Sequence, residues 1–378
     1  KDKKETGEQA ASGVTVFMCG DVMLGRGIDQ VLPHPGDPVI HESYMKSAKG
    51  YVKIAESENG PIPGNAGFSY VWGDALEELE RIRPDLRIIN LETSITRSDD
   101  YWKFKGIHYR MNPDNIACLT AAGIDFCSLA NNHVLDWGYA GLKETLETLN
   151  SVQIKHAGAG DHLGEAESPA IFEMKKNCRV VVFSCGVGSS GIPHNWSAAR
   201  DRPGVFLLKD LLDRTVRRIR ESVQKVKKKG DIVIVSIHWG GNWGYRIPSD
   251  QTRFAHKLID DAGVDMIHGH SSHHVKGIEV YRDRPILYGC GDFLNDYEGI
   301  SGYEQYRDDL SLMYFVSMEP STGKLSGLRM VPTQVRRFQV NRANKKDVLW
   351  LQKILNREGQ KLGTSVVLNE DHSFSLQW

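Results

Sequence analysis

The sequence predicts an α/β fold carried on mostly parallel strands. Short runs rich in β-branched residues alternate with stretches whose apolar residues recur at helical spacing. Several of those runs stop at an acid, an amide or a histidine. Ligands of open α/β sheets bind beyond the carboxyl ends of the strands, so this is where such residues can act. The chain has 378 residues, 40% hydrophobic and 25% charged, enough for a large core. No repeat, low-complexity block or linker divides it, so one elaborated domain is expected. Its 47 basic and 48 acidic residues leave a net charge of −1. No global field recruits nucleic acid or a membrane surface, and no apolar run is long enough for a membrane-spanning segment.

The elements follow in order. Residues 1–13 are polar and read as a flexible tail. Val14-Thr15-Val16-Phe17-Met18-Cys19 is a strand ending at Gly20-Asp21. A long insertion over residues 33–73 carries Pro33, Pro35, Pro38, Pro61 and Pro63, with room for a helix between Glu42 and Ala55. Ala75, Leu76, Leu79 and Ile82 keep helical spacing until Pro84. Arg87 to Leu91 is the next strand, followed by Glu92. Asn112 before Pro113 opens a short helix. Asp125 to Ala130 is a strand that delivers Asn131-Asn132-His133, with Asp136 three residues on. Leu142, Leu146 and Leu149 mark a core-facing helix. Arg179 to Cys185 is a strand. A long stripe from Leu208 through Leu212, Val216, Ile219 and Val223 to Val226 reads as one helix. Asp231 to Ile237 is apolar almost throughout, a strand buried on both faces, and it ends at His238.

Val264 to Ile267 reads as a buried strand, and four imidazoles follow within seven residues, His268 to His274. Imidazole suits first-row divalent metals, and Gly269 allows the backbone to turn. Two hairpins follow, Ile278–Tyr281 with Ile286–Tyr288 and Leu310–Met318 with Leu325–Val331. A late helix and a strand pair close the chain. Asp21, Glu92, Asn132-His133, His238 and His270 with His273 thus each follow a strand. If those strands are parallel, carboxylate, amide and imidazole meet at one edge, a ligand set for Zn, Mn or Fe.

The carrying segments are Gly20-Asp21-Val22-Met23-Leu24-Gly25-Arg26, Asn90-Leu91-Glu92, Ala130 to Asp136, His238-Trp239-Gly240, Gly269-His270-Ser271-Ser272-His273 and Gly291-Asp292-Phe293. In this order they resemble the metallophosphatase superfamily and, within it, the capsule-synthesis CapA family, over residues 14–300. The resemblance implies a four-layer αββα sandwich over residues 14–340, with residues 341–378 as an extension packed on the same domain. It implies metal ligation by Asp21, Glu92, Asn132, His238, His270 and His273, with Glu92 approaching both ions. It also implies a proton donor in His133, oriented by Asp136. Met23 stands where the superfamily has a histidine, so one or two divalent ions are expected.

The expected activity is a metal-dependent hydrolase. An activated water would attack phosphorus or a carbonyl carbon of an anionic substrate, either a γ-linked glutamyl polymer or peptide or a phosphoester. Arg26 and Arg246 are candidates to grip the anion. Trp239, Trp243 and Tyr245 are candidate pocket walls. A non-catalytic metal-containing scaffold of polymer synthesis or export is the alternative, and a metal-dependent peptide epimerase a further one. Six cysteines without a C-x-x-C pair read as small buried hydrophobes. They suggest a cytoplasmic protein, with an extracytoplasmic one after leader removal as the alternative.

Overall fold

The computed structural model describes residues 13–175 and 178–378. Apart from Gly13, the tail expected over residues 1–13 lies outside them. Seven strands position the site: β1 (Val14–Val22), β2 (Leu86–Leu91), β3 (Phe126–Ser128), β4 (Cys178–Val187), β5 (Ile232–His238), β6 (Met266–His270) and β7 (Asp292–Leu294). β1, β2 and β3 run parallel within a ten-stranded sheet. β4, β5 and β6 run parallel within a seven-stranded one. The expected hairpin, Leu310–Met318 with a second strand that runs on from Leu325 past Val331 to Arg336, extends the first sheet on the other side of β1.

Side chains alternate across a strand, and here each alternation fills a different core. Val14, Val16 and Met18 of β1 and Leu86 and Ile88 of β2 share one core with Val180, Val182, Ile232, Ile234 and Met266 of the second sheet. The opposite parity of the first sheet, Phe17, Cys19, Ile89 and Leu91, packs on helices Asp74–Ile82 and Gly138–Ser151. The opposite parity of the second, Val181, Val233, Val235 and Ile267, packs on helices Asp213–Val226 and Ser249–Ala262. Two sheets therefore share a core, and each carries helices on its outer face: an α/β sandwich. Val348, Leu351, Val366 and Phe374 of the C-terminal segment lie in the shared core as well.

The inner parity carries straight into the site. Ile232 and Ile234 are followed by Ser236 and His238, and Met266 by His268 and His270. β1 needs an extra step. Met18 pairs with Ile88 and Asp21 with Asn90, so three residues of β1 match two of β2. This bulge re-aims Asp21 into step with Asn90, which follows Ile88 on the inner parity of β2. β7 lies parallel to β1 with Asp292 opposite Asp21. Gly20 allows that approach, because a Cβ there would stand 1.8 Å from the Gly291 carbonyl oxygen.

Some expectations change. β6 continues through His270, so His268 and His270 lie within the strand and not beyond it. The turn falls at Ser271, with φ +107°. Gly269 serves close approach instead: a Cβ there would meet the carbonyl oxygens of Leu287 and Tyr288 at 2.5 and 2.6 Å. The stripe from Leu208 splits in two. Leu207–Leu208 pairs with β4, and the helix starts only at Asp213, leaving Leu212 exposed. Asp210 causes the break, accepting from the Leu212 N–H at 3.0 Å and the Thr215 hydroxyl at 2.7 Å. The insertion does hold a helix, Lys49–Asn59, later than expected.

A methyl group at Gly20 has no space without moving Gly291. Gly20→Ala is expected to cost about 1–3 kcal/mol, the usual range for an overpacked core, in urea unfolding. Wild-type stability in that variant would mean that the two strands are not held this closely.

Candidate metal centre

The imidazoles come first because a fixed chain of hydrogen bonds sets their protons. The His268 Nε2 lies 2.7 Å from the Cys19 carbonyl oxygen. A carbonyl only accepts, so this nitrogen carries the hydrogen. His268 Nδ1 then accepts from the Ser236 hydroxyl at 3.0 Å. With that hydrogen committed, His270 Nε2 donates to Ser236 Oγ at 2.9 Å. A neutral His270 is therefore left with a bare Nδ1 lone pair. It points at His238 Nδ1, 2.8 Å away, while His238 Nε2 lies 3.1 Å from Asn132 Oδ1. Burial favours the neutral rings: it pushes His268 down to about 4 and His238 and His270 well below the usual range.

The carboxyls complete the site. One ligand atom each from Asp21, His238 and His270 lies within 4.8 Å of the other two. The same holds for Asp21, His273 and Asp292. The residue common to both groups is Asp21, and Glu92 stands beside them. Asp21 accepts from Asn90 Nδ2 at 2.7 Å through Oδ1, but its buried Oδ2 has no hydrogen-bond partner. Burial and the neighbouring Asp292 push Asp21 up to about 7. Burial and Asp21 raise Glu92 well above its ordinary value, and burial raises Asp292. Glu92 stands 3.8 Å from His238 Nε2 and 4.0 Å from His133 Nε2. His273 Nδ1 lies 3.0 Å from both Asp292 oxygens. Burial alone would lower His273, but Asp292 prevails and lifts it to about 9. A buried carboxylate oxygen without a donor, facing lone pairs and further acids, fits a divalent cation. Two overlapping groups of three give room for one ion or two.

His133 sits beside this set. Its Nδ1 is 2.6 Å from Asp136 Oδ2, its ring stacks on Tyr109 at 4.0 Å, and its Nε2 faces Glu92. Asp136 also accepts from the Tyr109 N–H at 2.7 Å. Lys105 Nζ lies 2.7 Å from the other Asp136 oxygen. Asn131 ties the turn to β2 by donating to the Leu91 carbonyl at 2.8 Å and accepting from the His133 N–H at 3.0 Å.

Asp21, Glu92, Asn132, His133, His238, His270 and His273 thus meet in one place, and Asp136 orients His133. Arg26, the candidate anion grip, is already paired within the protein. Its guanidinium is buried, bonds Asp296 at 2.8 and 2.6 Å and Glu42 at 2.7 Å, and lies over Tyr51. Two carboxylates already neutralise it. Arg246 is exposed and its carbonyl accepts from Lys276. Trp239 is buried packing, with its indole N–H on the Tyr288 carbonyl at 3.0 Å. Trp243 and Tyr245 form an aromatic shelf with Tyr303 and Tyr306 beside His273 and His274. His274 is framework, accepting from the Gly244 N–H at 3.0 Å. Asp292, read as part of a carrying motif but given no role, and Lys105, not read at all, are the additions. Gly291-Asp292 repeats the Gly20-Asp21 pair at a strand junction, a signal that was present. Lys105, in a loop, gave none.

Residues 15–297 match the family of the bacterial capsule synthesis protein PGA_cap. The chain belongs to the PGA_cap family. A probable polyglutamine synthesis accessory protein of Mycobacterium tuberculosis (strain H37Rv) is 47% identical over 360 residues, 95% of this chain and 94% of that protein. The PGA biosynthesis protein CapA of Bacillus subtilis (strain 168) is 28% identical over 297 residues, 78% of this chain and 66% of its own. The capsule biosynthesis protein CapA of Bacillus anthracis is 24% identical over 306 residues, 80% and 63% respectively. The matched span takes in every residue of the centre, from Asp21 to Asp292. In this PGA_cap chain all six cysteines are buried and free. Among the described residues no helix is long and apolar enough to cross a membrane.

Without a cation, Asp21 titrates near 7 and His273 near 9, so ligands must shed protons to bind one. Affinity for Zn or Mn is expected to rise from pH 6 to pH 8, with protons released. Calorimetry in two buffers of different ionisation heat measures the release; uptake that is independent of pH would contradict the assigned ligands.

Proposed function

We propose that this chain is a metal-dependent hydrolase that cleaves an amide bond in a carboxylate-bearing glutamyl polymer or peptide. The observation that carries this reading is the buried His133–Asp136 pair, with Nε2 turned toward a pocket able to hold cations. Asp21, His238 and His270, with Asn132, would hold one ion, and Asp21, His273 and Asp292 a second. A bound divalent cation supplies Lewis acidity and lowers the pKa of water from 15.7 to about 7.

The residues then divide the remaining work. Asp136 fixes the His133 proton on Nδ1 and leaves Nε2 to exchange protons. Burial pushes His133 down to about 4, so the resting ring is neutral and Nε2 accepts. It takes a proton from the attacking water as the oxygen bonds to the carbonyl carbon. It returns that proton to the departing nitrogen as the C–N bond breaks, leaving a carboxylic acid and an amine. Proton transfer of this kind contributes about 10²–10⁴-fold. Glu92, within 4.0 Å of both His133 and His238, can accept a hydrogen bond from the same water. A polymer substrate is favoured over a phosphoester because relatives are named for polyglutamine synthesis, PGA biosynthesis and capsule biosynthesis.

One observation favours a second reading. The relative matched along nearly its whole length is named an accessory protein, which suits a metal-containing scaffold without turnover. Two variants separate the readings. His238→Ala is expected to lose bound metal in elemental analysis and all turnover of a γ-glutamyl oligomer. His133→Ala is expected to keep the metal and lose about 10²–10⁴-fold in kcat. Metal retained by the wild type with no cleavage of γ-glutamyl or phosphodiester substrates would favour the scaffold. Metal lost in His133→Ala would refute its role as a proton carrier.

A further inference from the structure

We infer that Lys105 is the residue that binds the substrate's carboxylate, a specificity role built on the hydrolase reading above. Among the described residues it is the one lysine or arginine within hydrogen-bond reach of the His133–Asp136 pair. Its ammonium has three hydrogens. One goes to the Ile107 carbonyl oxygen at 2.9 Å, while Asp136 Oδ1, 2.7 Å away, is an ion-pair neighbour outside hydrogen-bond geometry. The third heavy-atom neighbour is His133 Nδ1 at 3.2 Å. That nitrogen already carries a hydrogen, donated to Asp136 Oδ2 at 2.6 Å, and cannot accept another. The ammonium therefore keeps a hydrogen free for an incoming oxygen. The Lys105 side chain is 15% exposed, so it is reachable from solvent and still largely desolvated. A charge-assisted hydrogen bond made there is strong.

The loop around Lys105 is built to hold it in place. The Trp102 N–H donates to the Asp136 carbonyl oxygen and the Tyr109 N–H to its carboxylate, both at 2.7 Å. Both ends of the loop are thus pinned to the residue that orients His133. Trp102 packs edge-on against Trp196 at 5.6 Å, and Lys105 lies 5.6 Å from the same indole. Phe104 points outward, fully exposed, with φ +63°. A glutamyl chain joined through its γ-carboxyl keeps a free α-carboxylate on every residue. Binding that group at Lys105, 3.2 Å from His133 Nδ1, would bring the neighbouring amide up to the His133 ring. The supply of positive charge that Arg26 cannot give falls to this lysine.

The test uses the metal-loaded full chain with tetra-γ-glutamate and with the same oligomer amidated at its α-carboxyls. In Lys105→Met, calorimetric Kd and KM for the acidic oligomer are expected to rise about ten- to a hundredfold, with kcat changed less than about threefold. Lys105→Arg should recover part of the affinity, and the amidated oligomer should not distinguish wild type from Lys105→Met. The acidic oligomer should also slow chymotrypsin cleavage at Phe104 in wild type alone. Wild type that binds without cleaving, with binding lost in Lys105→Met, would support Lys105 and overturn the hydrolase reading. Equal binding by wild type and Lys105→Met, or failure of wild type to bind, would overturn the role of Lys105. So would a fall in kcat at unchanged KM, which would make it a positioning residue for His133.

Discussion

Burying three carboxyls in each other's field is the constraint on which this molecule turns. Asp21, Glu92 and Asp292 are each almost wholly out of water. Like charges in that setting take up protons or a cation. The protein itself offers little relief. Among the described residues Arg26 pairs with Asp296 and Glu42, Lys105 pairs with Asp136 at the edge of the site, and His273 faces the acids as a cation. The bulge in β1, the bare Gly20 and the parallel seating of β7 all work to bring these acids together. A fold seeking stability alone would keep them apart.

The four histidines that open the site show how one short segment divides its duties. His268 ties the second sheet to the Cys19 carbonyl of the first and fixes the proton of Ser236. Through Ser236 it fixes His270, whose other nitrogen is bared toward His238. His273 turns to Asp292, and His274 is locked by Gly244 and by stacking on Tyr306. The same residue type therefore serves as strut, ligand candidate, ion-pair partner and wall. What separates these uses is the partner each ring nitrogen finds.

Much of this was legible in the sequence. Strand ends that stop at Asp21, Glu92, Asn132, His238 and His270 could be read because apolar periodicity breaks there, and the parallel sheets bring those ends to one edge. Asp136 was legible from its spacing to His133. Arg26 was misread, because no local pattern announces a carboxylate from residue 296. Asp292 was given no role because its place depends on β7 docking beside β1, a pairing far apart along the chain. The turn was assigned to Gly269 when Ser271 makes it, since a glycine's permissiveness does not say whether it turns or merely lets another chain come near. The helix boundary at Asp213 was lost because Asp210 competes for the backbone hydrogen bonds, while the leucine spacing alone suggested continuity.

The His268–Cys19 contact has a consequence for assembly. One half of the ligand set rides on each sheet, so neither sheet by itself presents a full chelate. The ligands come into range only when the apolar faces have closed on one another. The spacing of the candidate ligands on the strands, Asp21, His238 and His270, follows from the same packing that closes the shared core.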